Sequence, residues 1–135
     1  MATYVLVHGA WDGGWSWRDV ARHLQAAGHE VLRPTLTGSG ERVHLASPEV
    51  GLHTHVLDVA NVLRYEDLEE VVLCGSSYGG MVITGVDEEV TQRIRQLIYQ
   101  DAFVPEDGQS AGDLVGADIM GFMAQIAAQY GDGWR

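Results

Sequence analysis

The stretch VVLCGSSYGGMVITGV, residues 71–86, constrains the fold more than any other part of the chain. Val71–Cys74 is a short, uninterrupted apolar run of the kind that forms a buried strand, and Met81–Val86 continues as a helix that begins near Ser77. Between them stands Gly75-Ser76-Ser77-Tyr78-Gly79. A strand that passes into a helix within so few residues must turn sharply. The central residue then takes a strained backbone conformation, and glycines on either side remove side chains that would collide. Gly75, Ser77 and Gly79 have that spacing, so Ser77, rather than Ser76, is projected from the turn as a candidate nucleophile. A glycine-rich turn ahead of a helix can instead cradle phosphate. No Gly-Lys-Ser/Thr follows here, however, and the Gly-x-Gly-x-x-Gly fingerprint of dinucleotide sites is missing from this turn.

The rest of the chain alternates in the same manner. Strands are expected at Tyr4–Val7, Glu30–Arg33 and Ile94–Tyr99. Trp17, Val20, Ala21 and Leu24 recur at helical spacing within 15–27, and Val56, Leu57, Ala60 and Leu63 do so within 53–64. A polar loop is expected over 35–48, and a last helix over 111–129, carrying Leu114, Ile119, Phe122, Met123 and Ile126. Short strands alternating with helices define an α/β class: a parallel sheet with helices on both faces.

Charge narrows the partners. Nineteen acidic residues against eight basic ones give a net charge of -11, which disfavours nucleic acid and anionic membrane surfaces. No apolar run approaches the roughly 20 residues that span a bilayer. The N-terminal residues lack the pattern of a secretory signal, so a cytoplasmic protein is expected. Cys74, the single cysteine, falls within a strand and is expected to be a small buried hydrophobe. His53 and His55, two residues apart, face different ways on a helix; they are expected to be solvated at its end, and no metal site is expected.

A second piece of the site lies in VLVHGAWDGGW, residues 5–15. A strand that ends in His8-Gly9 delivers a backbone turn beside the Ser77 turn. The N–H of Ala10 can then join that of Tyr78 in an oxyanion hole, while His8 shapes the loop through backbone hydrogen bonds. With these residues in place, the chain resembles the α/β-hydrolase superfamily, and more specifically the compact branch of plant methyl esterases, hydroxynitrile lyases and bacterial esterases. The resemblance is carried by VLVHGAWDGGWSW at 5–17, GHEVLRPTLTGSGER at 28–42, GSSYGGMVITGV at 75–86 and IYQDAFVPEDGQS at 98–110. It implies Ser77 as nucleophile, Ala10 and Tyr78 as oxyanion donors, Gly75 and Gly79 as supports of the turn, and cleavage of small carboxylic esters without a cofactor. Trp11 is expected to line the acyl pocket. Residues 1–110 would form the N-terminal part of the hydrolase core, and 111–135 the start of a helical cap.

In such enzymes the acid and the histidine follow the nucleophile in sequence. Here all six histidines, at 8, 23, 29, 44, 53 and 55, precede Ser77. The chain is therefore expected to be the N-terminal piece of a longer polypeptide, with the histidine supplied from outside it, and with a C-terminal fragment or a second copy completing the sheet. Asp101, after the fourth strand, is a secondary candidate for the acid. Two departures from the family pattern stand out: Ser76 occupies the usual histidine position before the nucleophile, and Gln100 replaces an apolar strand residue, at a cost if it is buried unpaired. Cyanohydrin cleavage is a competing activity, but lyase relatives tend to place threonine where Gly9 stands. A non-catalytic binding module is the third alternative, supported by the absent histidine.

Overall fold

In a computed structural model, residues 1–105 are described. Strand β1 (Thr3–Val7) leads through a 3-10 turn at Gly14–Trp17 into helix α1 (Arg18–Ala26), then strand β2 (Glu30–Leu32). A second 3-10 segment, Gly40–Leu45, interrupts the long loop that sequence alone left irregular. Helix α2 (Leu52–Tyr65), strand β3 (Val71–Ser76), helix α3 (Gly79–Val90), a short turn at Thr91–Arg93 and strand β4 (Ile94–Gln100) complete the order.

The four strands form one parallel sheet in the order β2-β1-β3-β4. Val5 pairs with Leu73 and Val7 with Gly75, so the end of β1 lies directly beside the start of the Ser77 turn. Alternation along the strands divides the core between the two faces. Val5, Val7, Val71 and Leu73 pack against Val56, Val59, Ala60 and Leu63 of α2 and against Val82, Ile83 and Val86 of α3. Leu6 and Cys74 face the other way, against Trp17 and Ala21 at α1. Helices thus cover both faces, as expected, and Cys74 is a buried free thiol.

Several details differ from the sequence expectation. Val20 is exposed on α1, whose contacts with the sheet are made by Trp17, Ala21 and part of Leu24. Val59, not Leu57, completes the fully buried stripe of α2. Helix α3 begins at Gly79, with Tyr78 as its cap, and β3 runs on to Ser76, so the turn is confined to Ser77 and Tyr78, two residues further along than expected. Gln100, costly only if buried, is exposed. Its register partner is Ser76, which puts it on the face of Ile98 and Gln96, and both of those are exposed too.

The expected core–cap boundary at 110/111 and the helix expected over 111–129 lie outside the described residues. Among the described residues, no helix is long and apolar enough to cross a membrane.

Candidate active site

Ser77 follows β3 immediately, and its backbone adopts φ 54°, the left-handed region that a non-glycine residue enters only at a cost. Its side chain is exposed. The two glycines of the turn are there for space. A Cβ on Gly75 would lie 2.5 Å from the carbonyl oxygen of Gly79, and one on Gly79 would lie 2.7 Å from that of Val7 and 2.9 Å from that of His8. The start of α3 is thereby wedged against the end of β1. Gly80, which sequence reasoning passed over, is equally constrained: a Cβ there would run into the carbonyl oxygen of Phe103. Asp101 reverses the chain after β4 with φ 45°, and the N–H of Phe103 then donates to the Ser77 carbonyl at 3.1 Å.

The turn after β1 arrives where the sequence placed it. An ideal Cβ on Gly9 would be 3.1 Å from Ser77 Cβ and 3.6 Å from Ser77 Oγ, so residue 9 lies against the serine side chain. Ala10 is exposed just beyond it. Trp11 is 66% exposed and carries φ 59°, an unusual conformation for so large a residue. Among the described residues, neither the Ala10 nor the Tyr78 N–H is committed to another backbone carbonyl.

His8 is buried, and both of its ring nitrogens are engaged. Nδ1 donates to the Gly9 carbonyl at 2.7 Å, and Nε2 accepts the Leu36 N–H at 3.0 Å. Burial holds its pKa below the ordinary histidine value, in keeping with this neutral form. It shapes the loop, as expected.

His55 corrects the sequence expectation. It is half-buried rather than solvated, because α2 packs beside the turn and brings the ring to Tyr78. Nε2 lies 3.0 Å from the Thr37 carbonyl, which can only accept, so Nε2 carries the proton. In the neutral ring Nδ1 then accepts from the Tyr78 hydroxyl at 2.8 Å. Thr37 is held in turn by Asp58, which accepts from both its N–H and its hydroxyl at 2.7 Å. Burial pushes the Tyr78 phenol up to about 12, so it stays protonated. Nothing in the sequence marks this pairing, since the partners are 23 residues apart. Only the sheet order and the packing of α2 bring them together.

All six histidines fall among the described residues, and none is hydrogen-bonded to Ser77. His53 is exposed, as expected. Asp101 is exposed and has no histidine partner among the described residues. No group of three or more metal-ligating side chains occurs among them either.

A parallel sheet with a left-handed serine at the end of an inner strand, faced by a glycine from the neighbouring strand's turn, defines the architecture of an α/β hydrolase. Residues 4–135 match the model of the alpha/beta hydrolase family, and the chain belongs to that family. It is 56% identical over 110 residues to the carbendazim hydrolyzing esterase of Nocardioides sp. (strain SG-4G), covering 82% of this chain and 46% of that protein. It is 35% identical over 104 residues to salicylic acid-binding protein 2 of Nicotiana tabacum, covering 76% of this chain and 40% of that one. Among solved structures, an extracellular alpha/beta-hydrolase from a Paenibacillus species superposes with a TM-score of 0.87 at 32% identity, covering 96% of this chain and 52% of that chain. The chain thus spans about half the length of the proteins it matches, or less.

Proposed function

We propose that this chain supplies the nucleophile and oxyanion hole of a serine esterase that cleaves small carboxylic esters through an acyl-enzyme. The observation that carries the proposal is the left-handed, exposed Ser77 held against Gly9. In this mechanism Ser77 Oγ attacks the ester carbonyl, and its proton passes to a histidine outside this chain. The N–H groups of Ala10 and Tyr78 receive the oxyanion. One such donor is worth about 3 to 4 kcal/mol where removal has been measured in another hydrolase. The alcohol leaves with the proton held by that histidine, and water then releases the acid by the same route in reverse. Gly75 and Gly79 keep the turn tight, and Trp11 borders the acyl site. One protein relative supports the class, being named for an esterase activity.

The test is hydrolysis of a short-chain nitrophenyl ester by the full-length protein. Ser77→Ala should lower kcat by roughly three orders of magnitude or more, with little effect on folding. Turnover that survives the substitution would rule out this nucleophile. Mandelonitrile in parallel separates the lyase alternative, which Gly9 disfavours: residue 9 abuts Ser77 and brings no hydroxyl to a substrate. Covalent labelling of Ser77 by a fluorophosphonate separates the enzyme from a binding module, which would not be labelled. We place the protein in the cytoplasm, where the single buried thiol needs no oxidising partner. One similar structure is described as extracellular, so cell fractionation decides between the compartments.

A further inference from the structure

We propose that His55 is a positioning residue for the oxyanion donor at Tyr78, a role that rests on the esterase mechanism above. The N–H of Tyr78 belongs to the Ser77–Tyr78 peptide, and that peptide is gripped from two directions. On one side its carbonyl, the oxygen of Ser77, accepts from Gly80 N–H at 3.0 Å and from Phe103 N–H at 3.1 Å. In a trans peptide the N–H points opposite to the C=O, so these two bonds aim the Tyr78 N–H away from α3 and Phe103. On the other side, the Tyr78 side chain reaches the core beside α2 and ends on His55 Nδ1 at 2.8 Å.

His55 can serve as an anchor because it has little freedom of its own. Its Nε2–H is tied to the Thr37 carbonyl, and Asp58 holds Thr37 by two hydrogen bonds of 2.7 Å. The chain of contacts therefore runs from helix α2, through a loop pinned to that helix, to the residue that follows the nucleophile. Such an anchor has a physical purpose. The left-handed backbone of Ser77 persists only where the surroundings over-determine it, and an oxyanion donor displaced by about an ångström can cost as much as 100-fold in rate. Mutually hydrogen-bonded groups also polarise one another, so a carbonyl that accepts twice makes its own peptide N–H a better donor.

The experiment is a double-mutant cycle in the full-length protein, with His55→Leu, Tyr78→Phe and the pair, assayed on a nitrophenyl ester alongside wild type and Ser77→Ala. Each single variant should lower kcat about tenfold with KM within about twofold, since a transition-state contact is weakened. The double variant should be no slower than the slower single, because both changes break one contact. His55→Asn, whose Oδ1 takes the place of Nδ1 as acceptor, should recover most of the rate. Unchanged kcat in both singles, additive losses, or a shift in KM alone would overturn the positioning role and leave His55 as a packing residue. If His55→Leu fails to fold, Tyr78→Phe, which keeps the ring and removes only the hydroxyl, decides the matter by the same kcat criterion. Wild-type turnover that does not depend on Ser77 would instead bring down the esterase mechanism, and the role of His55 with it.

Discussion

Of the five non-glycine residues with positive φ among the described residues, Asp67 and Glu70 stand in the loop ahead of β3, and the other three follow strand ends on the side of the candidate site. Trp11, Ser77 and Asp101 all take positive φ, and each comes shortly after the C-terminal end of a strand, at β1, β3 and β4 respectively. Left-handed conformations cost a non-glycine residue roughly 1–2 kcal/mol, and at Ser77 that cost places Oγ out of the turn, where no hydrogen bond among the described residues draws it back. The strain can be measured separately from catalysis. Ser77→Gly and Ser77→Ala both lack the hydroxyl and should be equally inactive. The glycine variant should nonetheless be about 1 kcal/mol more stable than the alanine one, since only glycine adopts this φ without penalty. Equal unfolding midpoints for the two would mean that the turn is not strained.

Between the helices, α3 comes close to α2 at Gly85. A Cβ on Gly85 would lie 2.5 Å from Val56 Cγ2, so the two helices can pack at this distance only with glycine at that point. Gly85→Ala should cost about 1–3 kcal/mol by overpacking, despite the better helix propensity of alanine. Val56→Ala made in the same chain should recover part of that loss, and chemical denaturation of the singles and the double reads the coupling. Additive losses would place the clash elsewhere. The contact matters for function because α2 also carries His55 and Asp58, so its distance from α3 sets where the Tyr78 anchor sits. Arg93 steadies the other end of α2, donating to the carbonyls of Leu63 and Leu68 while pairing with the exposed Asp67 and Glu69. The carbonyl bonds are the more valuable part, because ion pairs to exposed carboxylates contribute little.

For the whole molecule, the decisive quantity is where the general base comes from. No histidine among the described residues engages Ser77, and none follows it in the sequence. Residues 1–135 alone should therefore show little Ser77-dependent ester hydrolysis. Covalent extension or co-expression with the segment that completes the hydrolase sheet should raise kcat by roughly 10⁴-fold or more, the scale of losing a triad member. Full activity from the 135 residues by themselves would require a different base. The candidates would then be His8 and His55, whose nitrogens are already engaged.

What sequence alone determined was local and periodic. The strand–turn–helix at Ser77 could be read from Gly75 and Gly79, the sheet class from alternating elements, and the loop role of His8 from its place after an apolar run. Each depends on neighbours close in the chain. The tertiary structure decided what depends on distant residues meeting: that Gly9 rests on Ser77, that Phe103 returns to bond the Ser77 carbonyl, and that Gln100 lies on an exposed face. His55 shows the difference most clearly. As a residue near a helix end it reads as solvated, and it becomes the partner of Tyr78 only because the parallel order β2-β1-β3-β4 lays α2 beside the turn that ends β3. A hydrogen bond between residues far apart in sequence leaves no periodic trace, so packing alone could reveal it.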